Sequence, residues 1–98
     1  MPNAKAHWRT MLAALSCVVG RRHKGCQGEV QLHHVAEGSG LRNEWALVPL
    51  CKEHHVGQAG LHGMGSKNFI RLYRPPGDSE YGLLVWLLED LAKNRMVA

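Results

Sequence analysis

Aromatic side chains are scarce, with one Phe, two Tyr and three Trp in 98 residues. A core with so few rings must be mostly aliphatic. No run approaches the roughly 20 apolar residues of a membrane-spanning helix, so no membrane partner is expected. The three cysteines are too few, and odd in number, for a disulfide framework; beside seven histidines they look like metal ligands in a reducing compartment. The chain has no repeats or low-complexity segments, and its length leaves room for a single domain, 1–98. Met11 to Cys17 faintly resembles the end of a signal peptide. Its apolar core is too short, however, and His7, Trp8 and Arg9 interrupt what precedes it, so a cytoplasmic location is expected.

What is present begins with charge. Twelve Lys and Arg against eight acidic residues give +4, which suits an anionic partner such as nucleic acid. Trp8, Met11, Leu12 and Leu15 are spaced i, i+3, i+4, i+7, which predicts an amphipathic helix over about 4–15. Cys17 to Cys26 reads as a glycine-punctuated, knuckle-like loop. It carries Arg21, Arg22 and Lys24, the densest positive cluster and a candidate phosphate clamp. Lys67 and Arg71 join these as candidate DNA contacts.

The middle of the chain reads as strand, loop, strand, helix. Val30 to Val35 alternates well enough for a strand, placing Val30, Leu32 and His34 on one face and His33 on the other. Glu37-Gly38-Ser39-Gly40 has turn chemistry, and Trp45 to Val48 forms a second short strand that Pro49 should end. A helix from about Cys51 cannot run far past Gly57, and Gly57 to Gly65, with four glycines, reads as a loop. Ser66 can cap a short helix holding Phe69, Ile70 and Tyr73. Asp78 can cap a last helix over about 79–93. Its stripe is Tyr81, Leu84, Val85, Leu88 and Leu91, widened by Leu83, Trp86 and Leu87. That helix is mostly core, with any exposed part of the stripe a potential dimer face; a monomer or weak homodimer is expected.

The chemistry concentrates around Leu50-Cys51-Lys52-Glu53-His54-His55, with His33-His34 before it and His62 after it. Five of the seven histidines fall in this window. At about 100° per helical residue, His54 lies roughly 60° to one side of Cys51 and His55 roughly 40° to the other. One short helix can therefore serve two sites. Cys51 and His54 have a C-x2-H spacing that can chelate a tetrahedral zinc, while His55 points toward whatever carries His33 and His34. Neutral histidine, with a pKa of about 6.5, can act as a base near neutral pH, as phosphodiester hydrolysis requires.

His33-His34 on a first strand, followed by Leu47-Val48-Pro49-Leu50-Cys51-Lys52-Glu53-His54-His55, resembles the HNH endonucleases, the ββα-metal or His-Me finger group. With Gly60-Leu61-His62, Phe69 and the late leucine-rich helix, the pattern is similar to the phage Ref (recombination enhancement, RecA-dependent) nuclease family, from about Cys17 to Leu91. The resemblance implies an α+β fold: a small ββα-metal, treble-clef-like core over about 17–73 with a β-hairpin, flanked by an N-terminal and a C-terminal helix. It implies His34 as general base. His33 is implied as catalytic and as a ligand of the catalytic divalent ion, Mg²⁺ or another, with His55 and His62 completing that set. Cys51 and His54 belong to a structural zinc whose other ligands come from Cys17, His23 and Cys26, with the two cysteines favoured. The implied activity is DNA phosphodiester hydrolysis with little sequence specificity, in a bacterial or phage-infected cell. Single-stranded DNA and DNA in a RecA filament are candidate substrates.

The chain departs from the pattern twice. Where many relatives have C-x2-C in the first knuckle, Cys17 is followed by Gly20. The asparagine that names HNH is Ala46 here, with Asn43 nearest, so another group must brace the active loop. The alternative is a non-catalytic zinc-stabilised module binding nucleic acid or protein. It has no need of His33, His34, His55 and His62.

Overall fold

A computed structural model describes residues 3–35 and 43–93. Helix α1 (Ala4–Ala13) is followed by the cysteine loop, then strands β1 (Val30–His34) and β2 (Leu47–Cys51), which pair antiparallel. Helices α2 (Lys52–His55), α3 (Leu61–Met64) and α4 (Ser66–Tyr73) come next. A single 3-10 turn (Pro76–Asp78) leads into α5 (Gly82–Ala92). The turn expected at Glu37–Gly40 lies outside the described residues. The result is an α+β domain built on a two-stranded hairpin. Among the described residues, no helix is long and apolar enough to cross a membrane.

The core lies against β2, every residue of which is buried. Leu12 of α1, Val18 and Val19 of the cysteine loop, Phe69 of α4, and Leu83 and Leu87 of α5 close around Leu47, Val48 and Leu50. The core is therefore mainly aliphatic, as the shortage of rings requires. Phe69 is its largest fully buried side chain.

Several elements differ from the sequence reading. The second strand starts at Leu47 and runs through Pro49 to Cys51. Pro49 is tolerated because its carbonyl accepts from Val18 N–H at 3.1 Å, on the edge away from β1. In an antiparallel strand a residue's N and O face the same side, so the missing N–H falls on an edge where the hairpin needs no donor. Trp45 and Ala46 instead belong to a turn, in which Asn43 Oδ1 accepts from Trp45 N–H at 2.8 Å and Asn43 O from Ala46 N–H at 3.0 Å.

The glycine-rich stretch after α2 contains the helix α3 rather than a loop alone. A Cβ on Gly60 would lie 2.5 Å from Glu53 O, and one on Gly63 would overlap Gly57 O. These glycines permit close packing of α3 on α2. Helix α4 starts at Ser66 itself, with Gly65 as its cap residue, and α5 starts at Gly82 without a side-chain cap from Asp78.

Helix α5 turns inward the side on which its apolar stripe is widened, with Leu84 and Leu91 of the stripe packed partly buried against the core. Leu83, Trp86, Leu87 and Asp90 are buried at i, i+3, i+4, i+7, whereas Tyr81, Val85 and Leu88 are 47, 42 and 61% exposed. An ion pair makes the burial of Asp90 on that face tolerable. Arg22 Nη1 donates to Asp90 Oδ2 at 2.9 Å and Nη2 to Oδ1 at 2.8 Å. The guanidinium also lies 4.8 Å from the Trp86 ring centre. Arg22, a candidate DNA contact by sequence, is half-buried and in the fold also anchors α5.

Candidate metal centres and active site

Helix α2 is one turn long, and its start separates two groups of potential ligands. Cys51 is the last residue of β2 and caps α2, its Sγ accepting from His54 N–H at 3.4 Å. That bond turns His54 back toward the sulfur. Their side chains meet Cys17 and Cys26, and the four ligand atoms lie within 4.8 Å of one another. His54 Nδ1 is 3.2 Å from Cys51 Sγ, 3.5 Å from Cys26 Sγ and 3.7 Å from Cys17 Sγ. A tetrahedral zinc with Zn–S near 2.3 Å and Zn–N near 2.05 Å implies an S···N edge of about 3.6 Å. The donor set therefore fits zinc in both chemistry and spacing.

The glycine that interrupts the expected C-x2-C has a steric cause. A Cβ on Gly20 would overlap Cys26 Sγ, so the sulfur from further along the loop occupies the space a second knuckle side chain would need. Gly20 N–H donates to Cys17 Sγ at 3.4 Å. His23 stays out of the cluster: its Nε2 lies 3.1 Å from Tyr73 O and its ring packs edge-on to Tyr73. Burial pushes the Cys17 thiol up. Loss of solvent, then the neighbouring Cys51 and Cys17, does the same to Cys26. Burial acts upward on Cys51 too, but the backbone N–H groups of His54 and Gln27 bring its thiol below the ordinary value. Three thiols crowded around one imidazole make a set that a cation would stabilise.

The second group is His33, His55 and His62, whose ligand atoms also lie within 4.8 Å of one another. The ring centres are 5.3 Å (His33–His55), 5.2 Å (His33–His62) and 4.9 Å (His55–His62) apart. Strand alternation aims His33 toward α2, the helix register turns His55 the opposite way from His54, and α3 brings in His62. Burial, aided by His33 and His62, pushes His55 down to about 4. Burial and then His33 also lower His62. His55 and His62 are thus neutral and have a lone pair to offer at physiological pH.

Three carboxylates or amides that the sequence did not single out hold these histidines. Glu80, buried in the linker before α5, accepts from His33 Nε2–H at 2.6 Å through Oε1 and from Ser66 Oγ–H at 3.0 Å through Oε2. Glu44 Oε2 accepts from His34 Nε2–H at 2.8 Å, and Arg9 Nη1 lies 3.4 Å from Glu44 Oε1. Gln31 Oε1 lies 2.8 Å from His55 Nδ1. No spacing rule marks Glu44 or Glu80, since each reaches its histidine across the fold. Gln31 alone carried a signal, being two residues before His33 on the same strand face.

His33, His34, His62, Ser66 and Glu80 line a shallow cleft of about 360 Å³. Where the pattern has asparagine the chain has Ala46, the end of the turn that Asn43 closes, and the contact to His34 comes from Glu44 in the same turn. Of the candidate DNA contacts, Arg21, Lys24, Lys67 and Arg71 are exposed and Arg22 is half-buried. Arg21 Nη1 also donates to Ser16 Oγ at 2.9 Å.

No curated protein and no solved structure matches the chain. A family model described as "Recombination enhancement, RecA-dependent nuclease" matches residues 3–91, nearly the whole chain. The protein therefore belongs to the RecA-dependent nuclease family.

Proposed function

We propose that this protein is a metal-dependent DNA endonuclease of the HNH type, with a structural zinc on Cys17, Cys26, Cys51 and His54 and a catalytic divalent ion on His33, His55 and His62. The observation that carries the reading is the second group. A zinc-stabilised binding module needs only the cysteine cluster, yet three further imidazoles converge beside a cleft that also holds His34. A divalent ion held there supplies the charge that polarises a phosphate and stabilises the leaving oxyanion.

The chain's own residues do the rest. Glu44 holds Nε2 of His34 and so orients the ring that takes a proton from the attacking water. Glu80 plays the same orienting part for His33 and contributes a buried negative charge beside the three rings. Lys67 follows directly on the cleft residues Gly65 and Ser66, and with Arg71, Arg21 and Lys24 it offers cations to the phosphate backbone. Family membership favours DNA held in a RecA filament as the substrate.

The test is nicking of supercoiled plasmid, single-stranded circles and RecA-coated DNA, with and without added Mg²⁺ or Mn²⁺. His34→Ala should keep its zinc, thermal midpoint and DNA affinity while cleavage falls roughly a hundredfold to ten-thousandfold, the usual contribution of a positioned base. If wild type cuts none of the three substrates, the binding-module reading replaces the enzyme. If His34→Ala cuts like wild type, the base is misassigned.

A further inference from the structure

Gln31 sits on the face of β1 that carries His33 and is paired across the hairpin with Leu50, the residue before Cys51. Its amide lies between two groups of opposite demand. On one side Oε1 is 2.8 Å from His55 Nδ1; on the other Nε2 donates to Glu29 Oε2 at 3.2 Å. A carboxylate has no proton to offer, so the amide must turn its NH₂ toward Glu29. Its oxygen is then the atom that meets His55. An amide oxygen can only accept, so the proton of a neutral His55 must sit on Nδ1. The lone pair is left on Nε2, the ring atom away from Gln31.

We propose that Gln31 is a positioning residue that selects the Nδ1–H tautomer of His55, with Glu29 fixing the direction of the Gln31 amide. Neutral imidazole in water samples both tautomers, and only one offers Nε2 as a ligand. The relay removes the wrong one before any ion arrives. Its value for catalysis rests on the metal reading above, but the tautomer itself does not. Hydrogen bonds of this kind typically change metal affinity roughly 10–100-fold when removed.

Long-range ¹H–¹⁵N spectra of protein carrying one equivalent of zinc, with no other divalent ion, report the tautomer directly. Wild type should show His55 protonated at Nδ1 and bare at Nε2. Gln31→Met keeps the length of the side chain but offers no oxygen, so His55 should become a mixture of tautomers. Mn²⁺ affinity, read by calorimetry, should fall roughly 10–100-fold, with zinc content and thermal midpoint unchanged. Gln31→Glu keeps an acceptor and should restore the wild-type tautomer. His55 protonated at Nε2 in wild type, or an unchanged tautomer in Gln31→Met, overturns the proposal. If wild type shows the expected tautomer and loses it in Gln31→Met, yet binds no Mn²⁺, the positioning role stands and the assignment of a catalytic ion to His33, His55 and His62 falls.

Discussion

The clearest division between a surface contact and a structural one is at Arg22. Its guanidinium makes a two-pronged contact to Asp90 at 2.9 and 2.8 Å, and Nη1 and Nη2 also donate to the Val18 and Trp86 carbonyls at 3.0 and 3.3 Å. Asp90 is fully buried. Arg22→Ala would leave that carboxylate in the core without a counter-charge, a change that costs about 3–5 kcal/mol. For a domain of this size each kcal/mol moves the thermal midpoint by about 4–8 °C, so the midpoint should fall by more than about 12 °C. Replacing both partners with apolar side chains, as in Arg22→Met with Asp90→Leu, should recover most of the stability because no buried charge remains. Arg21→Ala removes the neighbouring arginine, which makes no such buried pair; a surface change of about 0.5 kcal/mol or less should shift the midpoint by no more than about 4 °C. The assay is thermal unfolding followed by circular dichroism, with DNA affinity measured well below each midpoint. Were Arg22→Ala to melt within a few degrees of wild type while its salt-dependent DNA affinity fell, the anchoring argument would be wrong and the basic-cluster expectation right.

Three further expectations follow from the two ligand groups and the basic side chains of the cysteine loop. Cys51→Ala should unfold or aggregate the protein, because a structural zinc in a small domain contributes on the order of 10 kcal/mol; a well-folded, zinc-free variant would sink the assignment. His55, held down to about 4 by burial, should remain neutral at about pH 5.5 in an NMR titration of zinc-loaded protein without other divalent ions. Because the unfolded chain binds that proton near pH 6.5 and the fold refuses it, the contribution of His55 to stability is complete above about pH 6.5 and disappears as pH falls toward about 4. A measured His55 pKa near 6.5 would contradict the crowding. Finally, the Arg21→Ala, Lys24→Ala double variant should reduce the slope of log DNA affinity against log salt by about 0.7–0.9 for each phosphate it no longer neutralises. An unchanged slope would make both side chains merely solvated.

The sequence by itself was enough for the local arithmetic. The C-x2-H spacing and the next histidine were readable as serving two sites, because the helical angle per residue is a property of the backbone. The aliphatic core, the N-terminal helix and the strand–strand–helix order were likewise legible in apolar periodicity. Tertiary structure alone decided the rest, for reasons that are not local. Proline in β2 depends on which edge faces β1. The inward face of α5 was ambiguous because both of its faces are apolar, and an aspartate would ordinarily be assigned to solvent. Burial of Asp90 on the inward face is tolerable because of the charge of an arginine 68 residues away. Gly20 reads along the chain as a missing ligand, whereas in the fold Cys26 Sγ fills the space beside it. Glu44 and Glu80 left no signature of their roles in the sequence, since a hydrogen bond to the second nitrogen of an imidazole depends on where the chain folds back and not on spacing along it.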